Sequence, residues 1–126
     1  MTLVQLRTAP KSVAAAAGPL VDPQARRVRY LRISLTDRCN YRCTYCMPEE
    51  GVDRIARADL LTLEEVAEIA RAFAAWGVER VRLTGGEPTV RRGLVELVAA
   101  LAEIPVEVVL TTNGARLAEL AAPLRA

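Results

Sequence analysis

Hydrophobic and polar positions along this chain switch between two periods, and the switches outline its elements. In "YLRISLT" (30–36) alternate residues are apolar, the period of a half-buried strand. After a longer connection "TLEE" opens a helix. Thr62 and Glu65 stand at the spacing of a capping box, in which each side chain satisfies a backbone N–H of the first turn. Leu63, Val66, Ile69, Ala70 and Phe73 then recur at helical spacing as a buried stripe. Phe73 and Trp76 read as core packing, and Gly77 offers the left-handed conformation that stops the helix. "VERVRLTGGEP" (78–88) is a second strand with its terminal loop, and "GLVELVAALAEIP" (93–105) a second helix halted by Pro105. "VEVVLTTNG" (106–114) is a third strand and turn, and "ARLAELAAP" (115–123) begins a third helix. The series is α/β, with parallel strands joined by right-handed crossovers.

The strands are less apolar than such a sheet requires, since crossover helices normally cover both faces of a parallel sheet. Leu31, Ile33 and Leu35 share one face of the first strand, and Arg32, Ser34 and Thr36 share the other. Val81 and Leu83 oppose Arg80, Arg82 and Thr84 in the second, and Thr111 closes the face that holds Glu107 and Val109 in the third. An open sheet with one solvated face would account for this. A barrel segment whose polar lumen receives a polar ligand accounts for it better.

Composition describes an ordinary soluble domain: 126 residues, 52% hydrophobic and 25% charged. A formal net charge of +2 is too small to argue for a nucleic-acid partner, although Lys11 is the single lysine among 17 basic residues. The N-terminal "LRTAPKSVAAAAGPL" imitates a signal peptide, but its apolar run from Val13 to Ala17 ends at Gly18-Pro19, short of a working h-region. Residues 1 to about 27 read as a flexible arm and 28–126 as the folded unit. No run approaches the roughly 20 apolar residues of a membrane span, so a cytoplasmic chain with no membrane partner is expected.

All three cysteines, Cys39, Cys43 and Cys46, fall in "DRCNYRCTYCMP" at spacing C-x3-C-x2-C. An odd count in a small chain argues for metal or redox chemistry over a disulfide framework. The absence of His removes Cys2His2 and Cys3His zinc sites, His general-base catalysis and Ser-His or Cys-His nucleophiles. Zinc would need a fourth ligand such as Asp37, or a second chain. The loops "DRCNYRCTYC", "TGGEP" and "TTNG" all follow the C-terminal ends of strands, where β/α barrels assemble their sites. In "GGEP" the missing side chains of Gly85 and Gly86 would let a ligand approach the backbone, while Pro88 stiffens the exit.

C-x3-C-x2-C after a first strand, with an aromatic before the last Cys and "GGEP" after the second strand, resembles the radical S-adenosylmethionine superfamily from about Tyr30 to the chain end. More narrowly, "LRISLTDRCNYRCTYCMP", "VRLTGGEPTVRR" and "TTNG" resemble the GTP 3′,8-cyclases of molybdenum cofactor biosynthesis. The resemblance implies a TIM-like partial barrel of six β/α units. On that resemblance the 126 residues are expected to be the N-terminal half, truncated after about three units, without the family's second cysteine trio and further basic contacts. Three thiolates from one loop can hold three irons of a 4Fe–4S cluster and leave the fourth open. In the family the fourth iron takes S-adenosylmethionine, whose reductive cleavage gives a 5′-deoxyadenosyl radical that converts GTP to its 3′,8-cyclised form.

Carried over by position, the resemblance makes Cys39, Cys43 and Cys46 the cluster ligands and has Tyr45 and Gly86 contact S-adenosylmethionine. Arg32, Arg82 and Thr111 then contact the nucleotide. Arginine suits a triphosphate because its planar fork makes bidentate, charge-assisted bonds at any physiological pH. Surface ion pairs are the plainer reading of each Arg. Arg80 shares their face, and Arg91 and Arg92 read as surface residues at a helix start. An external electron donor, a homodimeric parent enzyme and the next enzyme of the pathway are the implied partners. Thr89 stands where the family often has another residue, which carries little weight. Two other readings stay open: another radical enzyme such as a peptide maturase, and a non-catalytic metal-binding or interaction fragment.

Overall fold

Alternation in the strands translates directly into a sheet with two unlike faces. A computed structural model describes residues 18–46, 48, 50–51 and 54–125. Its strands are β1 (Tyr30–Ser34), β2 (Arg80–Thr84) and β3 (Glu107–Leu110), all parallel and in the order β1-β2-β3. The register sets Leu31, Val81 and Val108 abreast, and likewise Ile33, Leu83 and Leu110. That apolar face is covered by α1 (Leu63–Ala75) and α2 (Leu94–Ala102), and Val81 and Leu83 are wholly excluded from solvent. Burying each of these side chains contributes about 1.5–3 kcal/mol.

Helix α1 begins as its sequence requires, with both hydrogen bonds of the Thr62/Glu65 capping box formed at 3.1 and 2.8 Å. Val66 and Ala70 are buried, and Leu63 and Phe73 pack against the core. Ile69 departs from the expected stripe. The buried arc is centred on Ala70, and its neighbour in sequence lies about 100° round the helix. Ala67 and Ala74 fall inside the arc instead. Phe73 meets Trp76 edge to face at 5.3 Å, and Gly77 has φ +92° beyond the helix end.

Helix α2 stops at Ala102 and does not run on to Pro105. The ring of Pro105 disfavours helical backbone at Ile104, which turns in and is buried. The third helix, α3 (Leu117–Arg125), starts two residues later than expected, because Ala115 is held in a turn by Asn113. It contains Pro123, and none of its described residues is buried. Two single 3-10 turns, Arg57–Asp59 and Pro88–Val90, were not legible in the periodicity.

The opposite sheet face is polar and open: Arg32, Ser34, Arg80, Arg82 and Glu107 are exposed on it. Thr36 and Thr84, expected there too, are buried at 4% and 6% exposure, at the strand ends where the Thr84 carbonyl accepts from Leu35 and the Thr36 carbonyl from Gly86. Most of the expected arm lies outside the described residues. In its last part Val21 bridges Arg27, and the Leu20 N–H donates to the Trp76 carbonyl at 2.9 Å. Among the described residues no helix is long and apolar enough to cross a membrane.

Candidate functional site

The β1–β2 pairing does not end with the strands, and its continuation joins two of the three loops. Leu35 N–H donates to the Thr84 carbonyl (2.8 Å), Gly86 N–H to Thr36 (2.7 Å) and Glu87 N–H to Arg38 (2.8 Å). This approach explains the two glycines. A Cβ at Gly85 would lie 2.5 Å from the Thr36 oxygen, and one at Gly86 would lie 2.6 Å from the Arg38 carbonyl carbon and 2.8 Å from the Asp37 oxygen. The absent side chains therefore make room first for the cysteine loop's own backbone. Gly86 is exposed on its other side.

The mouth of the cysteine loop is closed by Asp37, whose Oδ2 accepts from the Ile55 N–H at 2.7 Å. Its Oδ1 is buried without a hydrogen-bond partner, and Asp37 joins no metal-holding cluster among the described residues. Cys39 and Cys43 are half-buried, Cys46 is exposed, and all three are free thiols. Cys39 Sγ accepts from the Tyr41 N–H at 3.4 Å, and the Cys46 N–H closes a turn onto the Cys43 carbonyl at 2.9 Å. Arg42 wraps the loop by donating to the Cys39 and Tyr41 carbonyls. Tyr45 is 92% exposed at the tip. As a donor set, three free thiols on one loop with an N–H aimed at a sulfur suit an iron–sulfur cluster. The described residues do not gather the three sulfurs into one metal-holding group.

Glu87 is the site residue that sequence reasoning missed. It lies at 1% exposure with both oxygens hydrogen-bonded. Oε1 accepts from Thr89 N–H (3.0 Å), Thr89 Oγ1 (2.5 Å) and Thr112 Oγ1 (2.8 Å), and Oε2 accepts from the Asn113 N–H (2.7 Å). Burial pushes its carboxyl up, but these four hydrogen bonds outweigh burial and hold it below the usual carboxylate range. The acid thus bolts the loop after β2 to the loop after β3. Thr89, given little weight in the sequence, is 2% exposed and supplies two of the four donors. The one available signal was an acid between Gly86 and Pro88 in a loop otherwise built for close approach.

The arginines divide by partner. Arg32 and Arg82 stand abreast across β1 and β2, both exposed, with the Arg82 guanidinium 5.4 Å from the Tyr30 ring centre. Arg80, two residues nearer the start of β2, is tied to Glu107 at 2.6 Å. Arg91, read as a plain surface residue, donates to the Leu35 and Leu61 carbonyls at 3.3 and 2.7 Å and so braces the end of β1 against the entry to α1. Thr111 is exposed just past β3, where its N–H donates to the Leu83 carbonyl at 3.0 Å. The structure therefore brings the cysteine loop, Gly86 and Thr111 to one end of the sheet, with Arg32 and Arg82 on the adjoining open face.

Comparison with known proteins gives the chain its relatives. The model of the radical SAM superfamily matches residues 33–126. A GTP 3′,8-cyclase of Geobacter sulfurreducens is 54% identical over 108 residues, which are 84% of this chain and 33% of that protein. The GTP 3′,8-cyclase of Peptoclostridium acidaminophilum is 51% identical over 85% of this chain and 34% of its own length. Molybdenum cofactor biosynthesis protein 1 of Drosophila melanogaster is 50% identical over 91% of this chain and 21% of its own length. The chain spans about a third or less of the length of these curated relatives.

Proposed function

The chain belongs to the radical SAM superfamily, and from that premise we propose that it is the cluster-bearing portion of a GTP 3′,8-cyclase acting in molybdenum cofactor biosynthesis. One observation carries the reading. The cysteine loop and the loop of Gly86 are hydrogen-bonded to each other at the strand ends, beside an open face on which Arg32 and Arg82 lie abreast.

In this reading Cys39, Cys43 and Cys46 hold three irons of a 4Fe–4S cluster, and the fourth iron, to which this loop offers no thiolate, takes S-adenosylmethionine. When bound, the cluster supplies the electron that cleaves S-adenosylmethionine and starts the radical reaction on GTP. The chain's own residues bind and orient. Tyr45 and the exposed side of Gly86 meet S-adenosylmethionine. Arg32 and Arg82 meet the triphosphate with permanently charged forks, and Thr111 meets the nucleotide from the end of β3. Hydrogen abstraction by a carbon radical needs no histidine, so the lack of His in these residues is no obstacle to the reading.

The same reading makes residues 28–126 part of a six-unit partial barrel with the polar face as its lumen. The support is that this face is exposed and basic while the other is closed by α1 and α2. Free thiols favour a reducing compartment such as the cytoplasm, with an external electron donor. Electron paramagnetic resonance of the reconstituted, reduced chain is the test. Addition of S-adenosylmethionine is expected to change the cluster signal, and a signal indifferent to it would overturn the assignment of the open iron.

A further inference from the structure

Three hydrogen bonds leave the Asn113 side chain and backbone little freedom. Its N–H donates to Glu87 Oε2 (2.7 Å), its Oδ1 accepts from the Ala115 N–H (3.0 Å), and its Nδ2 donates to Asn40 Oδ1 (2.9 Å). The second bond decides the amide's orientation: with Oδ1 committed to an N–H, Nδ2 is what faces position 40, and Asn40 must answer with its oxygen. The first bond fixes the backbone, because Glu87 is buried and held by three further donors. Thr112 adds stiffness by donating to Glu87 while accepting from the Gly114 N–H at 3.1 Å.

From this rigid turn a single polar reach crosses to the residue next to Cys39, 73 positions earlier in the chain. Between residues 39 and 46 the other hydrogen bonds are local: Tyr41 to Cys39, Arg42 to Cys39 and Tyr41, and Cys46 to Cys43. Among the described residues, the Asn40–Asn113 bond is thus the only one that ties this stretch to the rest of the fold.

We propose that Asn113 is a positioning residue for the cysteine loop: its amide, aimed by Glu87 and Ala115, latches Asn40 and so sets where the loop presents Cys39 and Cys43. The inference rests on the reading of those cysteines as cluster ligands. It gives the third β/α unit a part in cluster placement, although that unit supplies no cysteine.

A double-substitution cycle tests it on the 126-residue chain. Asn40→Asp keeps an acceptor for the Asn113 amide. Asn113→Asp keeps a pair as well, because the Asn40 amide can turn to donate. Together they set two carboxylates face to face, so only the pair of substitutions breaks the latch. In the metal-free chain, hydrogen exchange of residues 38–46 is expected to stay within about twofold of the parent in either single variant and to rise about tenfold in the double, a coupling that independent surface changes do not show. Asn40→Ala removes the bond without touching Glu87 and is expected to raise exchange too. It decides the matter should the double variant fail to fold. After anaerobic loading with iron and sulfide, the cluster resonance should match the parent in both singles and differ in the double. Normal loading with unaltered exchange and resonance in the double variant overturns the proposal alone. Failure of the parent chain to take up iron and sulfide overturns the cluster reading and this proposal with it.

Discussion

Glu87 and Asn113, 26 residues apart, meet where two strand-end loops converge, the Asn113 N–H donating to Glu87 Oε2 at 2.7 Å. This bond and the three to Oε1 turn the acidic residue of "GGEP" inward. Its carboxylate organises the loops and is not offered to a ligand.

Glu87→Gln should therefore destabilise the chain without altering its surface. An amide can still accept at one oxygen, but its NH2, buried where Glu87 now lies, would confront the Asn113 N–H and leave both donors unpaired, at a cost of about 1–3 kcal/mol. Urea unfolding at neutral pH measures this. A midpoint equal to the parent's would mean that the loops do not depend on the carboxylate.

The same group gives a pH dependence whose sign follows from its lowered pKa. A carboxyl held lower in the folded than in the unfolded chain adds stability that is fully present above its ordinary value of 4.5 and is lost as pH falls through the lower folded value. Stability of the parent should drop across that acidic window, and Glu87→Gln should flatten the drop. Asp22 and Glu119 are also lowered, but both belong to exposed pairs with Arg26 and Arg116 that are unchanged in the comparison. Parallel pH profiles for the two proteins would contradict the assignment.

Gly86→Ala is expected to lower the thermal midpoint because its new Cβ would strike the backbone of Asp37 and Arg38, which cannot rotate away as a side chain can. Overpacking of this kind costs about 1–3 kcal/mol. At Gly114 nothing lies within 4 Å of an added Cβ and only the strain of φ +78° opposes alanine, so the loss there should be the smaller. The order of the two midpoints checks the argument.

On the proposed function, binding of inorganic triphosphate is expected to separate the arginines. Arg82→Ala should weaken it by about 1.5–3 kcal/mol, the worth of a charge-assisted hydrogen bond. Arg80→Ala should weaken it less, since Glu107 already engages that guanidinium at 2.6 Å. Titration calorimetry at moderate salt reads both. Equal losses would show that Glu107 does not set Arg80 apart.

Local patterns carried much of this fold. The Thr62/Glu65 box and the apolar alternation of Leu31 with Ile33 and Val81 with Leu83 depend on residues a few positions apart, and all appear in the structure as read. The polar face carrying Arg32 and Arg82 was legible for the same reason. Ile69 misled because alanines carry little hydrophobic signal, so a buried arc centred on Ala70 was drawn toward the larger side chain. Glu87 was beyond reach. A loop acid is ordinarily solvated, and two of its four donors come from Thr112 and Asn113, which only the parallel pairing of β2 with β3 brings near. The glycines were noticed for the right property, but the neighbour on their Cβ side, the backbone of the cysteine loop, was not legible, since the closeness of two loops is a tertiary fact.

The proposed function depends on what three cysteines without a histidine hold, and iron content answers that most directly. Anaerobic incubation of the chain with iron and sulfide, followed by removal of unbound metal, is predicted to leave about four irons and four sulfides per chain with the broad visible absorption of a cluster. Cys43→Ala should abolish it. Tight binding of one zinc with no iron–sulfur absorption, or an undiminished cluster in Cys43→Ala, would contradict the claim.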